Sequence, residues 1–470
     1  MLTYSFAKIG SDSLYEYLYK CLKNDILLNV LPAGEKLPSK RSFAKNLGIS
    51  VITVENAYAQ LIAEGFIYSL PKKGYFVADI QQNEIPLTKP APKTAAKKTP
   101  AAEPFLADFS SNSPAAGQFP FTTWAKLLRE ILHTEQKELL QKQPSAGSYK
   151  LRQSIAGYMK EFRGLYVLPE QIIIGAGTEY LYGQIVQLLG HDKCYGIEEP
   201  GYQKIAQIYT LNGVNCKHVP LDANGISIPA LETAAVDVVH ISPSHHFPTG
   251  ITTPISKRYE LLGWAAKNPN RYIIEDDYDS EFRLVGRPLP TLQSIDTTGK
   301  VIYLNTFSKS LTSTLRVSFM ILPQELLKIY NKKMSFYTCP VTNLIQSALT
   351  RFIAEGYYEK HINRMRQFYK KQRNFLIKQI QASPLKKYAQ ITESDAGLHF
   401  ILTLQLNCQD REFKQRLLSR GIKINALSEY YALSPKPDNH SFIVNYSSLN
   451  KEQIENSVRI INEEIQQVKT

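Results

Sequence analysis

One lysine stands among small hydroxyl residues in the segment 304–320, LNTFSKSLTSTLRVSFM, with an arginine seven positions later. Lys309 could simply be solvated, which is the usual state of a lone lysine. An amine held out of water can instead form a Schiff base with an aldehyde, and Arg316 offers a planar pair of donors for a phosphate. The neighbouring segments decide between these interpretations.

Three consecutive carboxylates, Glu275, Asp276 and Asp277, follow the apolar run RYII. Crowded carboxylates need a cation, a metal or a protonated ligand nitrogen to offset their repulsion, although a solvated acidic loop has the same sequence pattern. The turn GAGTEY at residues 175–180 combines two glycines with the start of a helix, an arrangement that can cradle a phosphate. Together the amine, the carboxylates and the turn predict one ligand, pyridoxal 5′-phosphate.

Pyridoxal phosphate would meet these residues at different atoms. We expect Lys309 to bind its aldehyde carbon, Asp276 to hold its ring nitrogen protonated and Arg316 to bind its phosphate. Tyr278 could hydrogen-bond the ring hydroxyl, and Tyr202 could lie over the ring. A packed surface tyrosine is the simpler interpretation of Tyr202 taken alone.

Histidines and cysteines give no sign of a metal centre. His245 and His246 are adjacent in a proline-bounded loop, where their side chains point in different directions and make a poor ligand pair. The five cysteines lack metal-ligand spacing, and their odd number argues against a disulfide framework. We therefore predict no metal site and expect a reducing, cytoplasmic setting.

The elements that must position these residues are six short apolar runs that alternate with helical segments from residue 105 on: QIIIGAG, KCYGIEEP, DVVHISP, RYIIEDDY, KVIYLNTF and VSFMIL. The alternation predicts an α/β domain in which the runs form buried parallel strands. Ligands of such sheets collect where strands end. Because the candidate residues lie just after the runs, we expect one edge of the sheet to gather them.

The first 79 residues carry a different pattern. Leu14, Leu18 and Ile26 recur at helical spacing, and Ser39 is placed to cap a second, short helix that Gly48 terminates. A third helix is predicted to expose five residues at its start: Ser50, Ile52, Thr53, Glu55 and Asn56. The segment GFIYSLPKKGYFVAD then predicts a hairpin with two lysines at its tip. A helix-turn-helix with a wing binds DNA, and a helical protein-interaction module is the alternative.

Length and composition agree with a modular, folded chain. A chain of 470 residues is too long for one hydrophobic core, which predicts two or three domains. Its 43% hydrophobic and 21% charged residues are ordinary values for a folded protein. The first ten residues do not have the basic and then apolar pattern of a leader, so we expect neither secretion nor import, and no apolar run approaches the roughly 20 residues of a membrane span. The net charge of +13 favours polyanionic partners, yet residues 1–79 hold only nine basic against seven acidic residues. Residues 80–104, rich in Pro, Ala, Lys and Thr, predict a flexible linker to a domain at 105–470.

The segment LPSKRSFAKNLGISVITVENAYAQLIAEGFIYSLPKKGYFVA resembles the winged helix of GntR-type bacterial regulators almost from end to end. The resemblance implies binding to double-stranded DNA, with phosphate contacts early in the module, base contacts at the start of the third helix and minor-groove contacts at the wing. The residues it implies are, in that order, Ser39 and Arg41; Ser50, Ile52, Thr53 and Asn56; and Lys72, Lys73 and Gly74. Val51 replaces the arginine usual in the family.

Residues from about 105 to 470 resemble the fold-type I aminotransferases, through PEQIIIGAGTEYL, EEPGY, SPSHHFPTG, IIEDDYDSEFR, FSKSLTSTLR and AGLHF in the expected order. The whole chain is similar to the MocR subfamily of GntR regulators. The resemblance implies Lys309 as the covalent anchor, with Asp276 at the pyridinium nitrogen. It places Tyr278 at the ring hydroxyl and Tyr202 against the ring. The residues implied around the phosphate are Gly177, Thr178, Glu179, Thr306, Ser308 and Arg316.

Three departures from the aminotransferase pattern concern catalysis and substrate binding. Phe247 stands where typical aminotransferases have an asparagine that contacts the ring hydroxyl. Lys204 replaces an arginine that binds an effector carboxylate in some relatives. The segment 424–449 has no arginine, and Glu429 lies where relatives often supply one. Either Lys204 or another group binds a carboxylate, or the effector is not an ordinary amino acid.

The leading hypothesis is a cytoplasmic transcription regulator that senses an amine, an amino acid or pyridoxal phosphate itself. Lys204 and His245 are its candidate effector contacts. The family resemblance implies a head-to-tail homodimer. Two alternatives stay open: an active aminotransferase that carries a DNA-binding extension, and a degenerate domain that no longer holds the cofactor.

Overall fold

The computed structural model describes residues 2–6, 9, 12–80, 105–111, 116–286, 289–392, 395–433 and 437–469. The chain divides into two compact units, Met1–Ala101 and Ala102–Thr470. The linker predicted at residues 80–104 lies outside the described residues, apart from Ile80.

The N-terminal unit has three helices and a small antiparallel sheet in its described residues. In chain order its elements are α1 (Leu14–Leu27), β1 (Lys36–Leu37), α2 (Lys40–Leu47), α3 (Val51–Ala63), β2 (Ile67–Leu70) and β3 (Gly74–Val77). The strand order is β1-β3-β2, so β2 and β3 form the predicted hairpin and β1 adds a strand that the sequence did not indicate.

Local signals explain the boundaries of these helices. The Ser39 hydroxyl caps α2 by accepting from the Ser42 amide at 3.2 Å, and Ser50 caps α3 in the same way from Thr53 at 3.1 Å. The chain leaves α2 at Gly48, as predicted. The helices and the hairpin pack around one core whose members include Leu18, Leu22, Phe43, Val54, Tyr58, Leu61 and Ile67.

The larger unit is mixed α/β. Its helices are α4 (Phe121–Thr134), α5 (Gln136–Leu139), α6 (Tyr149–Arg163), α7 (Thr178–Leu189), α8 (Gln203–Leu211), α9 (Ile228–Thr233), α10 (Ile255–Ala266), α11 (Leu292–Ile295), α12 (Phe307–Ser310), α13 (Gln324–Met334), α14 (Asn343–Ala354), α15 (Tyr357–Ala382), α16 (Asp410–Ser419) and α17 (Lys451–Lys469). Its strands are β4 (Ala107–Asp108), β5 (Ile172–Gly175), β6 (Cys194–Glu199), β7 (Asn215–Asp222), β8 (Gly225–Ile226), β9 (Val238–Ile241), β10 (Tyr272–Asp276), β11 (Val301–Thr306), β12 (Ser318–Ile321), β13 (Ala389–Thr392), β14 (His399–Leu404), β15 (Ile422–Lys423), β16 (Asn425–Ala426) and β17 (Ser441–Asn445).

The six predicted apolar runs form β5, β6, β9, β10, β11 and β12 of one eight-stranded sheet. Its strand order is β5-β12-β11-β10-β9-β6-β7-β8. The prediction that all six runs are parallel is wrong for β12, which pairs antiparallel with both β11 and β5. The connection from β11 to β12 is too short for a crossover helix, so the chain reverses direction instead.

Buried clusters cover both faces of this sheet. Ile274, Ile302 and Met320 pack on one face with α7, α8 and α13, whereas Ile273, Val301 and Val239 pack on the other with α9, α10 and α11. A separate antiparallel sheet, of order β13-β14-β17-β16, lies in the C-terminal part. No helix in the described part of the chain has the length and apolar character needed to cross a membrane.

Candidate functional site

The carboxyl ends of β5, β6, β9, β10 and β11 share one edge of the large sheet, and a cavity of about 470 Å³ opens there. Its lining includes most of the predicted cofactor residues: Thr178, Glu179, Tyr202, Asp276, Tyr278, Thr306, Ser308, Lys309 and Arg316. Lys204, predicted to contact an effector, also lines it. The predicted convergence of distant segments on one edge of the sheet is therefore observed.

Lys309 is positioned by the short helix that follows β11. Thr306 ends the strand and caps α12, because its hydroxyl accepts from the Ser308 amide at 3.1 Å. Burial lowers the pKa of the Lys309 ammonium to about 8, although the negative charge of Asp279 opposes the shift. A substantial fraction of this amine is neutral near physiological pH, which is the nucleophilic form.

Asp276 ends β10, and only one of its two carboxylate oxygens has hydrogen-bond partners among the described residues. Its Oδ2 accepts from the Tyr182 hydroxyl at 2.5 Å and lies 3.4 Å from His240 Nε2. Its Oδ1 is buried and has no hydrogen-bond partner among the described residues. A buried acceptor without a donor is costly, so this oxygen is suited to a ligand N–H. Neither Tyr182 nor His240 was identified from the sequence.

The two carboxylates that flank Asp276 are held elsewhere. Asp277 Oδ2 lies 2.8 Å from the guanidinium of Arg163 and accepts from the Tyr303 hydroxyl at 2.6 Å. Glu275 lies 3.6 Å from Arg258 and caps α11 by accepting from two backbone amides. Burial raises the pKa of Glu275 to about 7. The cations that offset the crowded acids are thus two buried arginines, which the sequence pattern did not reveal.

The start of α7 and the loop before β12 meet at the predicted phosphate cradle. Gly177 has a φ of 96°, and a Cβ there would lie 2.6 Å from Arg316 Nη2, so the guanidinium packs directly against the glycine. Arg316 itself is left-handed, with a φ of 51°. Backbone strain of this kind concentrates at binding sites, where the surroundings hold it in place.

Glu179 lies between two cations beside this cradle. Its Oε2 is 3.4 Å from Arg316 Nη2, and its Oε1 accepts a hydrogen bond from Lys204. The hydrogen bond from Lys204 lowers the pKa of the Glu179 carboxyl, and the same bond raises the pKa of Lys204. The predicted effector contact is therefore already paired with a predicted phosphate contact.

His245 does not line the main cavity with the other predicted residues. It is buried, and its Nδ1 lies 2.8 Å from Asp279 Oδ2 and 3.3 Å from the Tyr278 hydroxyl. Its neighbour His246 turns the other way, with Nδ1 2.7 Å from the Thr249 hydroxyl. The two rings thus diverge as predicted, and His245 is placed to position Tyr278 rather than to contact a ligand in the cavity.

Aromatic rings form the opposite wall of the cavity. Phe247 contacts Tyr202 edge to face at 5.9 Å between ring centroids and Tyr430 at 5.3 Å. The Tyr430 carbonyl accepts from the Gly201 amide at 3.1 Å, which ties this wall to the loop that carries Tyr202. Glu198 also lines the cavity, and burial raises its pKa to about 8. Tyr430 and Glu198 were not identified from the sequence.

These residues fit pyridoxal phosphate on three observations. Asp276 Oδ1 is a buried acceptor without a donor among the described residues, Lys309 has a lowered pKa, and Gly177 leaves Arg316 room beside a helix start. The ring nitrogen of pyridoxal phosphate suits Asp276, its aldehyde suits Lys309, and its phosphate suits the space between Gly177 and Arg316.

The predicted DNA-contacting residues of the N-terminal unit lie at the starts of α2 and α3 and at the tip of the hairpin. Ile52 is 67% exposed and Val51 is 41% exposed. Arg41, Asn56, Lys72 and Lys73 are also exposed, whereas Ser50 and Thr53 are tied into the cap of α3. The arrangement presents two helix starts and three cations on the surface.

Among the described residues, Asp410, Asp438 and His440 bring possible metal-ligand atoms within 4.8 Å of one another. His440 Nδ1 lies 3.1 Å from Asp410 Oδ1, and the Asp410 amide donates to Asp438 Oδ1 at 3.0 Å. Hydrogen bonds within the group therefore account for its geometry.

Comparisons with known proteins identify both units. The family of bacterial regulatory proteins called gntR matches residues 14–77, and the class I and II aminotransferase family matches residues 106–461. The chain is 37% identical over 426 residues to the uncharacterized HTH-type transcriptional regulator YdeL of Bacillus subtilis, with 90% of each chain covered. It is 29% identical to the probable rhizopine catabolism regulatory protein MocR of Rhizobium meliloti, with 90% of this chain and 88% of that protein covered.

Solved structures agree on the fold of the larger unit. The multiple substrate aminotransferase of Thermococcus profundus superposes with a TM-score of 0.67 at 23% identity, over 77% of this chain and 91% of that one.

The HTH-type pyridoxine biosynthesis regulator PdxR of Corynebacterium glutamicum is 28% identical, with 89% of each chain covered. This chain combines a gntR domain with a class I and II aminotransferase domain and matches these regulators over most of its length, so it belongs to the MocR subfamily of GntR transcription regulators.

Proposed function

We propose that this regulator binds pyridoxal 5′-phosphate in the cavity of its aminotransferase-like unit and uses it to sense an amine, an amino acid or the cofactor itself. The observation that carries the proposal is the meeting of Lys309 and Asp276 on one cavity, with a buried Asp276 oxygen that no described residue satisfies. Asp276 ends β10 and Lys309 lies on α12 after β11, and the two groups have opposite chemical roles.

Each residue of the cavity has one task in this proposal. Lys309 binds the aldehyde carbon, Asp276 accepts from the ring nitrogen, and Tyr182 and His240 hold the other Asp276 oxygen in place. Tyr278 contacts the ring hydroxyl, with His245 behind it, and Tyr202 lies over the ring. The phosphate contacts are Gly177, Thr178, Thr306, Ser308 and Arg316. When bound, pyridoxal phosphate supplies an aldehyde that takes up amines and a ring that withdraws electrons.

Sensing requires that a ligand favours one of two arrangements of the protein. With pyridoxal phosphate bound, Lys309 would hold its aldehyde carbon, and an amine ligand would compete with the Lys309 amine for that carbon. The position of the Lys309 side chain would then determine the contacts of α12. We propose that a change in these contacts alters how the winged helices of a head-to-tail homodimer meet double-stranded DNA. The start of α3 would contact bases, and Lys72 and Lys73 would hold phosphates near the minor groove.

The direct test is visible absorbance of the purified protein after addition of pyridoxal phosphate. We expect a band from the lysine-bound cofactor that Lys309→Ala abolishes and that Lys328→Ala, a change at a 71% exposed lysine, leaves intact. Absence of any band in the unaltered protein would end the proposal.

Kinetics separate the sensor from the alternative, an active aminotransferase. If the protein is a sensor, titration with a panel of amines and amino acids should change the absorbance spectrum once, without further turnover. Repeated turnover with an amino donor and an oxoacid, at a rate of about 10 per second, would favour the active aminotransferase.

A further inference from the structure

The Glu179 carboxylate is paired with both cations, Arg316 and Lys204, that an anionic ligand of the cavity would contact. It contacts Arg316 through Oε2 and Lys204 through Oε1, and all three side chains line the cavity. The hydrogen bond from Lys204 lowers the pKa of Glu179, so the side chain is negatively charged at neutral pH.

A second anion at this place would meet Glu179 directly. Glu179 is the second residue of α7, and Arg316 packs against Gly177 at the cap of the same helix. A phosphate bound at the helix start and Arg316 would lie beside the carboxylate, on the same helical turn. The two anions would therefore compete for the same donors, and their repulsion would oppose binding.

We propose that Glu179 is an internal competitor that sets how tightly the cavity holds anions. The inference rests on the proposed function and extends it to ligand affinity. Glu179 weakens the hold of Arg316 on the cofactor phosphate and of Lys204 on an effector carboxylate. Cofactor and carboxylate-bearing effectors then bind only at concentrations that overcome this internal ion pair.

The size of the effect follows from exposure. The three side chains are between 41% and 49% exposed, so solvent screens their charges. We therefore expect removal of the Glu179 charge to tighten phosphate binding roughly threefold to fivefold. A purely structural role, in which Glu179 holds Arg316 and Lys204 in position, predicts the opposite sign.

The test compares Glu179→Gln with the unaltered full-length protein after removal of any bound cofactor. Dissociation constants are measured for pyridoxal phosphate, for pyridoxal, which lacks the phosphate, and for inorganic phosphate. We expect roughly threefold to fivefold tighter binding of both phosphate-bearing probes and no change for pyridoxal. Glu325→Gln, which removes the charge of a 77% exposed side chain on α13, serves as the control and should change none of the constants.

Unchanged or weaker binding of inorganic phosphate by Glu179→Gln would overturn the inference, and so would an equal gain for pyridoxal. If pyridoxal phosphate fails to bind the unaltered protein while inorganic phosphate binds the variant more tightly, the inference stands and the proposed function fails. The two ideas are thus separable.

Discussion

Contacts that shape the winged helix and contacts that shape the cavity differ in their reach along the chain. Ser39 and Ser50 cap their helices through residues three positions away, and the residues predicted to face DNA are mostly exposed. In the cavity, Tyr182 reaches Asp276 across 94 positions and Glu179 reaches Arg316 across 137. Single changes on the DNA-binding surface should therefore leave the fold intact, whereas single changes in the cavity should disturb it.

Removing residues 1–79 tests the separation of the two units most strongly. The N-terminal core has its own set of buried residues, so we expect the truncated chain to lose DNA binding and to keep cofactor loading. Electrophoretic mobility shift of its own promoter fragment at moderate salt measures the first property, and visible absorbance measures the second. A mobility shift by the truncated chain would show that DNA binding does not depend on residues 1–79.

Gly397→Ala should damage the larger unit and spare the winged helix. Gly397 has a φ of 70°, and a Cβ there would overlap the His245 ring and lie 2.8 Å from Asp279 Oδ2. We expect a loss of about 3 kcal/mol in unfolding free energy from the combined backbone strain and overpacking. Gly164→Ala, at a φ of 65° with open space around it, should cost about 1 kcal/mol in urea denaturation. Equal losses would show that His245 moves aside.

The pH dependence of cofactor capture tests whether burial sets the reactivity of Lys309. Its pKa is lowered from 10.5 to about 8, so the neutral amine becomes the major form above that pH. The second-order rate of pyridoxal phosphate capture should rise about tenfold per pH unit below pH 8 and level off above it. Stopped-flow absorbance measures the rate, and a rise that continues to about pH 10 would contradict a buried amine.

Ile52→Ala tests the exposed surface on its own. The 67% exposed side chain lies in the first turn of α3, where an apolar group can contact thymine methyls in the major groove. We expect operator affinity to fall several-fold, by about 1 kcal/mol, with no change in melting temperature. Ile62→Ala, at a 39% exposed position near the other end of the helix, is the matched control and should leave affinity unchanged. Equal losses in both variants would exclude a contact specific to the helix start.

The same difference in reach decides what the sequence could predict. Helix spacing, capping serines and apolar runs act over a few residues, so the winged helix and six strands of the large sheet were predicted correctly. Arg163 and Arg258 were missed because their carboxylate partners lie far along the chain. The direction of β12 was missed because an apolar run looks alike in parallel and antiparallel sheets. His245 was expected at a ligand, and no local signal indicated its partner Asp279.

The three consecutive acids at the end of β10, Glu275, Asp276 and Asp277, also limit how this part of the chain can vary in length. Glu275 and Asp277 are each bound by their own arginine, so Asp276 cannot slide along the strand without exchanging places with a neighbour that is already held. Insertion or deletion of one residue within 272–277 would turn the side chains on one side of the change to the other face of the sheet. The count of residues in this strand is therefore constrained as tightly as the identity of the aspartate, and homologous chains should align through it without gaps.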